Sequence, residues 1–110
     1  MYSKSFITQD DIERAKTELL YAIACARQSG AELLCIIINT KSEKEKGKIT
    51  TECLKILKRM KKENKITLYL TNETFLVPGV EREYLLNKHP DIGEDALLLS
   101  PDTTYIIIRL

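Results

Sequence analysis

Apolar residues in the first half of the chain follow two different periods. From about Gln9 to Ser29 they recur at helical spacing, which predicts a helix that Thr8 caps and Gly30 stops. The residues of its expected buried stripe are Ile12, Ala15, Leu19, Ile23 and Ala26. The continuous run "ELLCIIINT" follows, and it is typical of a strand buried on both faces.

A second helical pattern and a second strand pattern come next. Residues 40–48 are polar and charged, so we expect a loop there. Apolar residues then return at helical spacing from about Thr50 to Asn64, at Cys53, Ile56, Leu57 and Met60. The segment "KITLYLTN" alternates between apolar and polar residues, as a strand with one drier face does. Strand, helix and strand in this order predict a parallel β-α-β unit over residues 32–71.

The ends of the chain complete the expected fold. "SKSFIT" fits a short first strand, and "VEREYLLN" fits a short helix. "ALLLS" and "TTYIIIRL" flank a Ser-Pro-Asp-Thr turn signal, which predicts a C-terminal antiparallel hairpin. The fold class expected is therefore α/β: one domain over residues 1–110, a layered sandwich with a mixed sheet and two to three helices.

The strand "TTYIIIRL" also suggests a mode of assembly. If it lies at a sheet edge, its unpaired backbone is a template for another chain, and Arg109 is the only residue that could block it. A two-fold homodimer is then expected. The alternative is an internal strand in a monomer, flanked by the "ALLLS" strand and one other.

Composition narrows the class of protein. The chain has 110 residues, of which 44% are hydrophobic and 30% are charged, as in a globular domain. No apolar run approaches the roughly 20 residues that span a bilayer, so we expect no membrane partner. The N-terminal segment turns acidic where a signal peptide would be apolar. With three scattered cysteines, this predicts reduced, buried and unreactive thiols in a cytoplasmic protein.

The net charge of +1 hides a basic middle segment. From Lys41 to Lys65 there are ten Lys or Arg and four Glu. Such a cluster can neutralise phosphates, which makes sequence-independent binding of nucleic acid one hypothesis. Its candidate residues are Lys48, Lys55, Lys58, Arg59 and Lys62. The alternative is an ordinary solvated helix face, because no aromatic residue lies among them for stacking on bases.

The stretch "SEKEKGKIT", residues 42–50, resembles an incomplete phosphate-binding loop. Gly47 and Lys48 match the motif, but Ser42 takes the place of its first glycine and Ile49 that of its hydroxyl residue. The glutamates of this stretch also oppose phosphate. We therefore interpret it as a solvated loop, and weak phosphate or nucleotide binding is the alternative.

Polar residues follow two of the predicted strands. Asn39 and Thr40 end one strand, and Thr71, Asn72 and Glu73 end the next. The carboxyl ends of parallel strands line the crevice where open α/β sheets bind ligands, so these residues are candidates for a nucleotide, metabolite or catalytic site. The alternative is that they cap the turns that follow.

No other segment indicates catalysis. "HPDIGED" contains His89, Asp91, Glu94 and Asp95, but their spacing matches no metal signature, and an acidic turn is the preferred interpretation. We expect no catalytic residue, no metal ion and no cofactor. The sequence leaves the function unknown and favours a non-catalytic binding or regulatory module that acts through self-association or a protein partner. Nucleic-acid binding and a strand-end ligand or enzymatic site are the alternatives.

Overall fold

Four strands form one mixed sheet in a computed structural model of the protein, which describes residues 2–110. The strand order is β1-β2-β4-β3. The strands are β1 (Ser3–Ile7), β2 (Leu33–Ile38), β3 (Leu68–Thr71) and β4 (Tyr105–Arg109). β1 is parallel to β2, whereas β4 is antiparallel to both β2 and β3. The first three strands therefore run in one direction, and their carboxyl ends lie at the same edge of the sheet.

Two long helices cover one face of the sheet. They are α1 (Ile12–Gln28) and α2 (Glu43–Lys62). The predicted apolar stripes face inward: Leu19 of α1 and Leu57 of α2 are fully buried, and they join Leu34, Ile36 and Ile106 in one core. The helical periodicity thus placed these residues correctly.

Short helices cover the other face. They are α3 (Asn72–Phe75), α4 (Val80–Lys88), a 3₁₀ helix (Pro90–Glu94) and α5 (Ala96–Leu99). Tyr105 is fully buried on this face, and its hydroxyl donates to the carbonyl of Leu98 at 2.7 Å. Its ring packs edge-to-face against the ring of Phe75. The two helical layers and the mixed sheet confirm the predicted single-domain α/β class.

The predicted C-terminal hairpin is wrong. "ALLLS" forms the single helical turn α5, because Asp95 accepts from the backbone N–H of Leu97 at 3.0 Å and caps a helix there. Residues 105–108 of β4 are buried on both faces, and β4 gains two strand neighbours by lying between β2 and β3. The two strands of the expected parallel unit therefore run in the same direction without touching. The structure contains five α-helices within residues 2–110 rather than two to three.

Residues 40–48 are also different from the prediction, because α2 begins at Glu43 rather than near Thr50. Ser42 caps the helix by accepting from the N–H of Glu45 at 3.4 Å. Glu43 and Glu45 lie in the first turn, where the helix dipole favours carboxylates. The stretch that resembles a phosphate-binding loop is thus mostly helical, and Gly47 is inside the helix.

The start of α1 needs a smaller correction. Asp11, not Thr8, is the capping residue, and it accepts from the N–H of Arg14 at 3.0 Å. The helix ends at Gln28, one residue before the predicted end.

Candidate functional site

The predicted strand-end residues lie at one edge of the sheet but do not form a continuous crevice. Asn39 and Thr40 follow β2, whereas Thr71 is the last residue of β3 and Asn72 and Glu73 follow it. β4 lies between these strands, so the two groups are separated by two strand spacings, roughly 10 Å. The backbone before β4 also fills this edge, where Ile38 N–H donates to the carbonyl of Thr104 at 2.9 Å.

Three of these five side chains bond to nearby backbone. Thr71 accepts from the N–H of Thr74 at 3.4 Å as the cap of α3, and Asn72 Oδ1 accepts from the N–H of Tyr105 at 3.4 Å. The hydroxyl of Thr40 donates to the carbonyl of Ser42 at 3.3 Å. Such capping is what small polar residues at turns commonly do. The ligand-binding role of the five residues stays a prediction.

Glu73 is the one strand-end candidate that lines the pocket beside β3, a concave volume of about 550 Å³. Its other walls are Leu70, Thr74, Val77, Pro78, Gly79, Val80, Glu81 and Arg82. The guanidinium of Arg82 lies 5.8 Å from the centre of the Phe75 ring. The lining is mainly apolar, and its polar side chains are those of Glu73, Thr74, Glu81 and Arg82.

The five basic candidates separate into two groups. Lys48 and Lys55 make ion pairs along α2, with Glu45 at 3.9 Å and Glu52 at 3.2 Å. The other three, Lys58, Arg59 and Lys62, are exposed and have no carboxylate within ion-pair distance among residues 2–110. The accessible, unpaired charge is therefore concentrated near the C-terminus of α2.

Three further cations lie with that group: Lys61 and Lys65 are its neighbours along the chain, and Arg27 is added because α1 and α2 end side by side. The guanidinium of Arg27, in the last turn of α1, donates to the carbonyl of Lys65, just beyond α2. The sequence pattern missed Arg27, since it is 31 residues before Lys58 and only the packing of the helices brings them together. We define the basic end as Arg27, Lys58, Arg59, Lys61, Lys62 and Lys65.

The outer edge of β1 forms a second candidate surface. A groove of about 250 Å³ runs between this edge and α1, and we call it the β1 groove. It is lined by Ser5, Phe6, Glu18, Tyr21, Ala22 and Cys25. Phe6 is 46% exposed and Tyr21 is 71% exposed. Residues 19–26 in the second half of α1 are apolar nearly all round, which predicts cover on more than one side, but the exposure of Tyr21 shows that this prediction is wrong.

Asp95 of the acidic segment has a structural role. Its Oδ2 accepts from the hydroxyl of Tyr2 at 2.6 Å and from the ammonium of Lys4 at 2.7 Å, which ties the N-terminal strand to α5. Burial alone would raise the pKa of Asp95, but the hydrogen bonds from Lys4, Tyr2 and the Leu97 N–H outweigh it and lower the pKa. A carboxylate held in this way is a structural anchor.

His89, the single histidine, is 6% exposed, and its Nε2 lies 3.7 Å from a carboxylate oxygen of Glu32. Within residues 2–110, no three His, Cys, Asp or Glu side chains are grouped so that they could hold a metal ion.

The cysteines correct one prediction. Cys35 and Cys53 are buried as expected, but Cys25 is exposed on α1. Burial raises the pKa of Cys35 to about 12 and that of Cys53 to about 11, so both are held as thiols. Cys25 is not shielded in this way.

Comparisons with known proteins give no functional information. Neither protein-family models, nor curated proteins, nor solved structures match the chain. Across residues 2–110, no helix combines the length and the apolar character needed to cross a membrane.

Proposed function

We propose that the protein is a non-catalytic binding module that pairs with a second copy of itself through the free edge of β1. The observation that carries this proposal is the β1 groove, where an unpaired strand edge lies beside the exposed side chains of Phe6 and Tyr21. The sequence pointed to β4 as the pairing strand, but β4 is internal and cannot pair with a second copy.

The backbone of β1 shows which groups are available at this edge. The carbonyl of Ile7 accepts from the N–H of Asn39, so the backbone of Ile7 faces β2. Because successive residues of a strand point their backbone groups to opposite sides, Lys4 and Phe6 direct theirs outward. The Lys4 side chain, which could block the edge, is held by Asp95 instead. β1 is therefore an available template for an added strand.

One antiparallel register uses all of these outward groups. A two-fold axis at Ser5 places Lys4 opposite Phe6 of the second copy. It also places Phe6 opposite Lys4 of the second copy. Both residues of each pair then have outward-facing backbone groups. Each pair forms two backbone hydrogen bonds, so the two strands are joined by four. An isologous contact of this kind closes on itself and stops at a dimer.

The same axis brings the two α1 helices together. Tyr21 lies beside Ser5 in the β1 groove, so an axis at Ser5 passes close to Tyr21 of both copies. Glu18, Tyr21 and Cys25 are three and four residues apart, the spacing of an antiparallel helical seam. The dimer would cover two exposed Tyr21 rings at its centre. β3, the other sheet edge, carries no large exposed apolar side chain of its own, and the exposed Val77 and Val80 line the pocket beside it.

Sedimentation velocity across the micromolar range tests the proposal. We expect a species of twice the 12.6 kDa chain mass for the native protein. Phe6→Pro should give a monomer, because proline removes an outward N–H that only the second copy would use while leaving the bonds to β2 intact. Tyr21→Glu should also give a monomer, because it places two like charges together at the axis.

Leu20→Glu is the matched control. It adds the same charge at the neighbouring residue of α1, where Leu20 is exposed but does not line the β1 groove. This variant should remain dimeric. A native protein that is monomeric throughout the range, or a Leu20→Glu variant that dissociates as readily as Tyr21→Glu, would exclude pairing at β1.

A further inference from the structure

We infer that the basic end binds the phosphate backbone of duplex nucleic acid without reading its sequence. This inference stands apart from β1 pairing, since the two surfaces share no residue. It rests on a concentration of positive charge: residues 58–65 contain five Lys or Arg and one carboxylate, Glu63, and packing adds Arg27. Glu63 pairs with Lys65, at 3.5 Å.

The ends of both helices are fixed by the same backbone arrangement. Asn64 has a positive φ of 60°, and the N–H groups of Asn64 and Lys65 donate back to the carbonyls of Lys61 and Met60. α1 ends in the same way at Gly30. These bonds hold Lys65 against the last turn of α2 and give Arg27 a fixed carbonyl to bind. The cations are thus presented by rigid elements rather than by a loose tail.

Helix dipoles alone do not account for this cluster. Cations in a last turn do stabilise a helix, but the effect falls off within that turn. Lys58 and Lys65 lie outside the last turn of α2, and the backbone bonds of Asn64 and Lys65 already satisfy two of its terminal carbonyls. Cations placed this close repel one another, and a polyanion would remove that repulsion.

The composition of the surface selects the kind of ligand. Lysine acts as a point charge toward phosphate, and four of the six residues are lysines. No aromatic residue occurs between residues 22 and 68, so none of the cations of the α2 end has an aromatic neighbour in the same helix on which the bases of a single strand could stack. A duplex exposes regularly spaced phosphates and needs no stacking.

Fluorescence anisotropy with a labelled duplex DNA and a duplex RNA of random sequence tests the inference. Six cations predict a slope of log affinity against log salt that is no steeper than about −5, and affinity should not depend on sequence. Arg59→Gln with Lys62→Gln removes two of these cations. It should weaken binding at low salt and make the slope shallower by about 2.

The matched control is Lys48→Gln with Lys55→Gln. It removes the same two charges from the same helix, at residues whose charges are already paired with Glu45 and Glu52. The slope of log affinity against log salt for this variant should stay close to that of the native protein. Circular dichroism should show that both doubly substituted proteins are folded. If the two variants lose the same amount of affinity and of salt slope, only the net charge of the protein matters, and a site at the basic end is excluded.

Three further results would overturn the inference. They are no binding at low salt, a clear preference for one duplex sequence, and equal binding of polyglutamate at matched charge, which would indicate an acidic protein surface as the ligand. Because the β1 groove is not part of this surface, Tyr21→Glu should leave the slope of log affinity against log salt unchanged when binding is expressed per protein chain.

Discussion

Two buried thiols make stability sensitive to alkaline pH at the scale of single residues. Burial is the main cause that raises the pKa of Cys35 to about 12 and of Cys53 to about 11, from an ordinary value of 9.0. Above pH 9 the unfolded chain releases these protons while the folded protein keeps them. The unfolded state then binds fewer protons, so the free energy of unfolding should fall as pH rises from about 9 toward 11.

Urea unfolding at pH values on both sides of 9 measures this slope. The double variant Cys35→Ala with Cys53→Ala should show a shallower alkaline decline than the native protein, although it is less stable overall. Cys25→Ala is the control, because it removes an exposed thiol and leaves the two buried ones in place. If the double variant and the control decline equally steeply, the two buried thiols do not cause the effect.

The buried residues of the long helices could be predicted, and the exposed ones only in part. Helical spacing fixes which side of α2 is apolar, so Leu57 had to be inside. In the second half of α1 nearly every side is apolar, and periodicity cannot tell which side the sheet covers. Tyr21 and Cys25 were therefore expected to be covered, and they are the residues that create the β1 groove.

At the scale of elements, the first turns of α2 give the sharpest prediction. Gly47 lies inside the helix, and apart from its chain neighbours and the helix's own backbone no atom of residues 2–110 lies within 4 Å of the position that a Cβ atom would take. Gly47→Ala should therefore stabilise the protein by about 0.5–1 kcal/mol, because glycine loses more backbone entropy in a helix than alanine does. Thermal and urea unfolding both report this change.

Gly30→Ala is the opposite control. Gly30 has a φ of +76°, which alanine adopts only with strain, so that variant should be less stable. An unchanged or lowered stability for Gly47→Ala would argue that residues 43–48 form a loop in solution. The sequence suggested a loop because these residues are nearly all charged, and only the later apolar residues, from Ile49 onward, show helical spacing.

At the scale of the whole molecule, the class of the fold followed from the sequence but the strand order did not. Runs of β-branched residues indicated two buried strands, and both are central. Nothing local specifies that β4 crosses back between β2 and β3, because that choice depends on which neighbours best cover its two apolar faces. The strand-end candidates are separated because β4 lies between β2 and β3. Their separation therefore could not be predicted from the sequence.

The two-fold arrangement at β1 predicts a specific chemical cross-link. Cys25 lies four residues after Tyr21 on α1, so in antiparallel helices centred at Tyr21 the two thiols are about 12 Å apart along the helix axes. Cys25 is also the one cysteine that is exposed, so it is the thiol that a reagent reaches in the folded protein. A flexible bismaleimide that spans this distance should give a covalent dimer of twice 12.6 kDa.

The controls separate this arrangement from chance collision. Cys25→Ser should give no covalent dimer, because Cys35 and Cys53 are buried. Tyr21→Glu keeps Cys25, which a monofunctional maleimide should still label, yet this variant should form little cross-linked dimer. Equal cross-linking yields in the Tyr21→Glu and native proteins under dilute conditions would show that the thiols meet by diffusion and not across a two-fold axis at β1.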